Sequence, residues 1–79
     1  MVLSTDADIK KIVSICKKYG TLEIDAICEH KRYVVDAKSL GDMRLLKDGG
    51  EVYFKTYGVD GGARDQFIKE LVEVSNEIG

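Results

Sequence analysis

The hydrophobic residues of this chain repeat at two different intervals, and this feature constrains the fold more than any other. Between residues 9 and 19 they recur at every third or fourth position, as on one face of an α-helix: Ile9, Ile12, Val13, Cys16 and Tyr19. Between residues 22 and 28 they recur at every second position, as on one face of a β-strand: Leu22, Ile24, Ala26 and Cys28. The change of interval predicts a fold that contains both helices and strands.

Two further segments have the composition of strands. Residues 32–36 are rich in β-branched and aromatic side chains, and residues 51–57 alternate between two faces. The basic cluster at residues 30–32 falls between the first two strands and is predicted to be a solvated hairpin turn. Residues 1–3 offer a short additional stub of strand. The sequence therefore predicts three strands and the beginning of a fourth.

Polar residues mark the starts of three helices. Thr5 and Asp8 approximate a capping box for the first helix, which we expect to end near Gly20. Ser39 opens a short helix of about two turns. Asp60 is expected to cap the last helix. The predicted apolar stripe of that helix consists of Phe67, Ile68, Leu71, Val72, Ser75 and Ile78.

The order of these segments predicts one domain, residues 1–79, with an α+β open-faced sandwich fold. An antiparallel sheet of three to four strands is covered on one face by two long helices and one short helix. A first strand limited to residues 1–3 would leave a neighbouring strand with unpaired backbone groups. A homodimer formed through this exposed sheet edge is therefore one expectation.

The charge and cysteine content limit the classes of binding partner and the cellular compartment that we expect for this chain. The net charge of -2, with acidic and basic residues mixed, argues against nucleic acid and membrane partners. Cys16 and Cys28 fit core positions, and two cysteines are few for the disulfide framework of a small secreted domain. From the pattern of these residues we expect neither a signal peptide nor a membrane-spanning apolar run. These observations predict a reduced, cytoplasmic setting.

The residue types that support catalysis are sparse in this chain. Catalysis needs titratable groups that converge on a pocket, and this sequence offers one histidine in a predicted turn, two cysteines in the predicted core and scattered carboxylates. The cysteine and histidine spacing does not match a zinc site. We therefore predict no catalytic residue, no metal and no cofactor. An enzyme of unrelated chemistry is the weakest functional hypothesis.

The segment Lys-Arg-Tyr-Val-Val-Asp-Ala-Lys-Ser, residues 31–39, resembles the centre of HPr, the histidine-containing phosphocarrier of the sugar phosphotransferase system. The likeness continues in order along the chain. Residues 13–19 resemble the end of that family's first helix, residues 49–52 its last turn and strand entry, and residues 58–78 its closing segment. The resemblance implies the HPr form of the open-faced sandwich.

The likeness fails at the residue that defines phosphocarrier chemistry. HPr proteins carry the phosphoacceptor histidine in a Gly-Leu-His-x-Arg-Pro segment at the start of the first helix. Here the histidine position falls near Thr5 and the arginine position near Ala7, and neither can replace an imidazole nucleophile and its basic partner. His30, the one histidine, belongs to the predicted hairpin turn. The resemblance therefore implies a divergent member without histidine phosphotransfer.

Ser39 matches a second site of the family, the serine after Ala-Lys that a regulatory kinase phosphorylates in many bacteria. A phosphate at a helix start would meet unpaired amides, although capping explains a serine there equally well. Leu40 and Met43 match the apolar residues through which the family's short helix contacts partners, or they are core residues. Two departures weaken the match: the segment is shorter than the family pattern, and Asp42 adds a negative charge near Ser39.

The leading functional prediction is a non-catalytic HPr-like module that is regulated by phosphorylation at Ser39. It binds a protein partner through the short helix of residues 39–46 and the adjoining start of the first helix. The resemblance implies that the partner is a phosphotransferase component, HPr kinase or a regulator. The alternative is a phosphocarrier that uses an unusual acceptor such as Thr5, or that lacks its N-terminal active-site segment.

Overall fold

The chain folds into helices and strands in the predicted order, as described by a computed structural model of residues 1–78. Its helices are α1 (Asp6–Lys17), α2 (Leu40–Met43) and α3 (Gly61–Ile78), and the 3-10 turn Arg44–Leu46 continues α2. Its strands are β1 (Glu23–Cys28), β2 (Tyr33–Asp36) and β3 (Tyr53–Tyr57). The described part of the chain is thus an α+β domain with two longer helices and one short helix.

The strands form one antiparallel sheet with β1 in the centre, in the order β2-β1-β3. Ala26 of β1 lies opposite Val35 on one side and Phe54 on the other. The predicted stub at residues 1–3 forms an isolated antiparallel bridge between Val2 and Glu51. Within residues 1–78 the sheet therefore has three strands, and the fourth is reduced to this bridge.

The helices pack on one face of the sheet. Along β1, Ile24, Ala26 and Cys28 are buried, whereas Asp25 and Ile27 alternate with them and are half-exposed. Phe67 of α3 is buried near the sheet, and its ring contacts Tyr19 and Phe54 edge to face, with centroid distances of 5.5 and 6.4 Å. The buried residues of α1 are Ile9, Ile12, Val13, Ile15 and Cys16.

Both predicted caps of the long helices are confirmed. The Thr5 hydroxyl accepts a hydrogen bond from the backbone N–H of Asp8 at 3.1 Å. The Asp60 carboxylate accepts one from the N–H of Ala63 at 3.0 Å. These side chains satisfy backbone donors that a helix start leaves unpaired. α1 ends at Lys17, somewhat before the expected end near Gly20.

The predicted apolar stripe of α3 is wrong at two positions. Ile68 and Val72 are 48% and 56% exposed, while Val74, which the prediction omitted, is 8% exposed and joins the core. Each helical residue is rotated by about 100° from the one before it. Since Phe67 and Val74 point at the core, Ile68 and Val72 project to the side. No helix within residues 1–78 is long and apolar enough to cross a membrane.

Candidate functional site

Ser39 lies in a tight loop between β2 and α2 that is held by backbone hydrogen bonds. The N–H of Ala37 donates to the carbonyl of Ile24 at 2.9 Å, which extends the pairing of β2 with β1 beyond Asp36. The Asp36 carboxylate accepts from the N–H of Lys38 at 2.9 Å, and the Asp36 carbonyl accepts from the N–H of Ser39 at 3.0 Å. The sheet therefore sets the position of Ser39.

The neighbouring Lys38 anchors the same loop to the end of α1. Its part-buried ammonium donates to the carbonyl of Tyr19 at 2.8 Å and also to the carbonyl of Leu22. Both carbonyls belong to the connection between α1 and β1. The positive charge closest to Ser39 along the chain is therefore already engaged in the fold.

The Ser39 hydroxyl forms the N-cap of α2, as predicted. Its oxygen accepts a hydrogen bond from the backbone N–H of Asp42 at 3.3 Å, and this contact is exposed to solvent. The Ser39 carbonyl accepts from the N–H of Met43 at 2.9 Å and so begins the helix. The capping hydrogen bond is by itself a sufficient structural role for this hydroxyl.

The apolar residues of this segment differ in their accessibility. Met43 is fully buried and belongs to the hydrophobic core, so its side chain is not on the surface where a partner would contact it. Leu40 is half-buried and packs against the core. Leu45, which the sequence reasoning did not select, is 50% exposed. Leu40 and Leu45 are therefore the apolar residues of the segment that solvent reaches.

Thr5, which the resemblance to HPr would place nearest the phosphoacceptor position, has acidic surroundings. Asp6 and Asp8 occupy the first turn of α1. The ammonium of Lys47 lies 3.9 Å from a carboxylate oxygen of Asp6, so it is paired with that acid. A phosphoryl group on Thr5 would add negative charge to a helix start whose first turn already carries two acidic residues, which disfavour it.

Ser39 and Thr5 lie toward opposite ends of α1. The Ser39 loop is attached to the Tyr19 and Leu22 carbonyls after the helix, whereas the Lys47–Asp6 ion pair joins the residue after the 3-10 turn to the first turn of the helix. α2 and its continuation therefore run along α1 from its end toward its start. The two hydroxyls do not form one site.

His30 lies in the turn between β1 and β2, as predicted for residues 30–32. It is exposed and is close to Gly50 in the turn before β3. The adjacent Lys31 crosses Gly49 and donates to the carbonyls of Leu45 and Lys47 at 3.2 and 3.4 Å. Lys31 thus connects the hairpin turn between β1 and β2 to the end of the 3-10 turn.

The two cysteines are free and buried, as the sequence predicted for core positions. Burial raises the pKa of the Cys16 thiol to about 12, although the charge of Lys38 acts in the opposite direction. A thiol in this state is a poor nucleophile. Residues 1–78 contain no group of three or more histidine, cysteine or acidic residues placed to bind a metal ion.

Comparisons with known proteins do not identify a relative. No family model, no curated protein and no solved structure matches the chain.

Proposed function

We propose that the protein is a non-catalytic, HPr-like regulatory module that binds a protein partner and is switched by phosphorylation at Ser39. The observation that carries the proposal is the position of the Ser39 hydroxyl, which caps α2 at the surface in a loop anchored by Lys38. The resemblance of residues 31–39 to HPr and the order of the helices and strands support it. The two free cysteines suit the cytoplasmic setting that we propose with it.

Phosphorylation would act mainly by changing the charge of the surface around α2. A phosphoserine adds about 1.5 to 2 negative charges at neutral pH. Asp42 already contributes an acid in the first turn of α2, and the ammonium of Lys38 is held by two carbonyls. Because Arg44 offsets the charge of Asp42, residues 39–46 would carry a net charge of about -1.5 to -2 after modification, with Leu40 and Leu45 beside the phosphate. Such a surface suits a protein partner that combines basic groups with an apolar patch.

The surroundings of Thr5 support the non-catalytic part of the proposal. A phosphocarrier needs a nucleophile and groups that balance the phosphoryl charge, whereas Thr5 is followed by Asp6 and Asp8. We expect no phosphate uptake from phosphoenolpyruvate and the first enzyme of the phosphotransferase system. An acid-labile phosphoprotein in that reaction would favour the alternative of an unusual phosphocarrier.

The Ser39 switch predicts a specific pattern of kinase labelling. After incubation with ATP and an HPr kinase, mass spectrometry should locate one phosphate on Ser39, and Ser39→Ala should abolish the uptake. The matched control is Ser14→Ala, which changes an exposed serine of α1 and should leave labelling unchanged. Equal uptake by the wild type and Ser39→Ala would refute the switch.

A further inference from the structure

The outer edge of β3 is an open hydrogen-bonding surface. β3 pairs with β1 on one side only, and successive residues of a strand direct their backbone groups to alternate sides. Val52 directs its groups outward, because its N–H donates to the Met1 carbonyl at 2.8 Å and its carbonyl accepts from the Met1 nitrogen at 3.2 Å. By alternation, Phe54 and Thr56 also direct their N–H and C=O groups outward. No strand of the described residues covers these groups.

Exposed apolar side chains flank this open edge on both faces of the sheet. Tyr53 and Tyr57, on the face away from the helices, are 54% and 42% exposed. On the helical face, a groove of about 220 Å³ separates β3 from α3 and is lined by Phe54, Leu71 and Val72 among others. Strand pairing at this edge would therefore bury apolar surface in addition to satisfying backbone groups.

The exposed face of α3 lies on the same side as the open edge. Lys11 of α1 and Lys18, which caps the end of α1, form ion pairs with Glu77 and Glu70, which places α1 along one side of α3. Ile68 and Val72 project roughly to the opposite side, given the rotation of about 100° per residue. Val72 also lines the groove beside β3. Ile68 and Val72, which the sequence wrongly predicted to face the core, are thus next to the unpaired edge of β3.

We propose that the occupant of this edge is β3 of a second copy, paired antiparallel about a two-fold axis at Lys55. Pairing of Met1 and Val2 with residues 51–52 leaves residues 53–57 open, and Lys55 is the centre of that span. About this axis Phe54 faces Thr56 of the second copy, so every outward group of the two residues gains a partner. Tyr53 faces Tyr57 of the second copy, an aromatic cross-strand pair.

Lys55 limits the strength of this pairing. The axis places the two Lys55 side chains opposite each other, and like charges in that position destabilise a strand pair. Each lysine keeps favourable neighbours in its own chain, because Lys55 lies opposite Asp25 on β1 and its ammonium lies 5.2 Å from the centre of the Tyr57 ring. The dimer is therefore weak, with a continuous six-stranded sheet, and repulsion between the two Lys55 side chains lowers its affinity.

Sedimentation at increasing protein concentration tests the dimer. We expect a monomer–dimer equilibrium that Thr56→Pro abolishes, because proline removes an outward N–H without removing a bond to β1. The matched control is Val34→Pro at the opposite edge, where the bond from Ala37 to Ile24 indicates that the N–H of Val34 also points outward. Circular dichroism should show that both variants fold. A monomer at all concentrations, or a dimer lost only in Val34→Pro, would overturn the proposal.

Two substitutions at Lys55 test the position of the axis. Lys55→Gln removes the repulsion and should tighten the dimer about two- to fourfold at low salt. Lys55→Cys should form an intermolecular disulfide on mild oxidation, because residues opposite each other at a non-hydrogen-bonded position have Cα atoms about 4.5 Å apart. Val34→Cys is the control and should not cross-link. Weaker association of Lys55→Gln, or equal cross-linking of the two cysteine variants, would exclude this axis.

Discussion

At the scale of single residues, Lys38 does more to fix the candidate site than Ser39 itself. Its ammonium lies between the carbonyls of Tyr19 and Leu22, so one side chain joins the loop after β2 to the connection before β1. If this donor were removed, the two part-buried carbonyls would lack a hydrogen-bond partner, and the fold would be less stable. The position of the Ser39 hydroxyl therefore depends on a lysine whose charge is not free to bind a phosphate.

Replacing Lys38 tests this role. Lys38→Met keeps much of the aliphatic stem but removes both hydrogen bonds, and we expect it to lower the free energy of unfolding by about 1–3 kcal/mol. Urea denaturation measures the change. Lys10→Met, at an exposed position of α1, is the control and should shift stability by less than about 0.5 kcal/mol. If both variants lose equally little, Lys38 is not an anchor.

At the scale of secondary-structure elements, the caps explain where the long helices begin. Asp60 caps α3 and also accepts a hydrogen bond from the Thr21 hydroxyl at 3.1 Å, so it connects α3 to the loop after α1. The bond from Ala63 and then that from Thr21 lower the pKa of Asp60 below its ordinary value of 3.8. The charged form of this side chain is therefore the form that the fold prefers.

The Asp60 cap predicts a contribution to stability that depends on pH. Because the pKa is lower in the folded state, the contribution is complete well above pH 3.8 and is lost as the pH falls through the folded-state pKa. Thermal melts of the wild type and Asp60→Asn should therefore differ most near neutral pH and converge as the pH falls from about 3.8 through the lower folded-state pKa. Glu70 also has a lowered pKa, mainly because of Lys18, but it is present in both proteins. The difference between their melts therefore reports on Asp60 alone. A difference that is constant with pH would contradict the prediction.

At the scale of the whole molecule, Phe67 joins the three parts of the core. Its ring contacts Tyr19 after α1 and Phe54 of β3, and it is 1% exposed. A chain of this size has a total stability of about 4–12 kcal/mol by the usual range per residue. Burial of this one aromatic side chain therefore contributes a substantial share of the free energy that holds the helices on the sheet.

Truncation of the Phe67 side chain should therefore destabilise the whole domain. We expect Phe67→Ala to lower the free energy of unfolding by about 3–5 kcal/mol through lost burial and an unfilled cavity. Ile68→Ala, at the exposed neighbouring position, should cost less than about 0.5 kcal/mol in the monomer. Urea denaturation at low protein concentration provides both values. Similar losses would mean that Ile68 is packed and the orientation of α3 is different.

Sequence reasoning succeeded where neighbouring residues decide the structure. The caps at Thr5 and Asp60, the alternation of β1 and the turn at residues 30–32 all follow from residues a few positions apart. It failed where a choice depends on distant contacts. Ile68 and Val74 are similar in hydrophobicity, and only the rotation of α3 against the sheet determines which of them is buried.

In the candidate site too, neighbouring residues decide some features and distant contacts decide others. The sequence by itself determined that Ser39 caps a short helix, because a serine before a few helical residues satisfies their free amides locally. Only the tertiary structure decided that Met43 is in the core, that Lys38 is bound to two distant carbonyls, and that β3 has an open edge. The physical reason is that burial, charge pairing and strand pairing depend on contacts between residues far apart in the chain, and the periodicity of a segment does not specify those contacts.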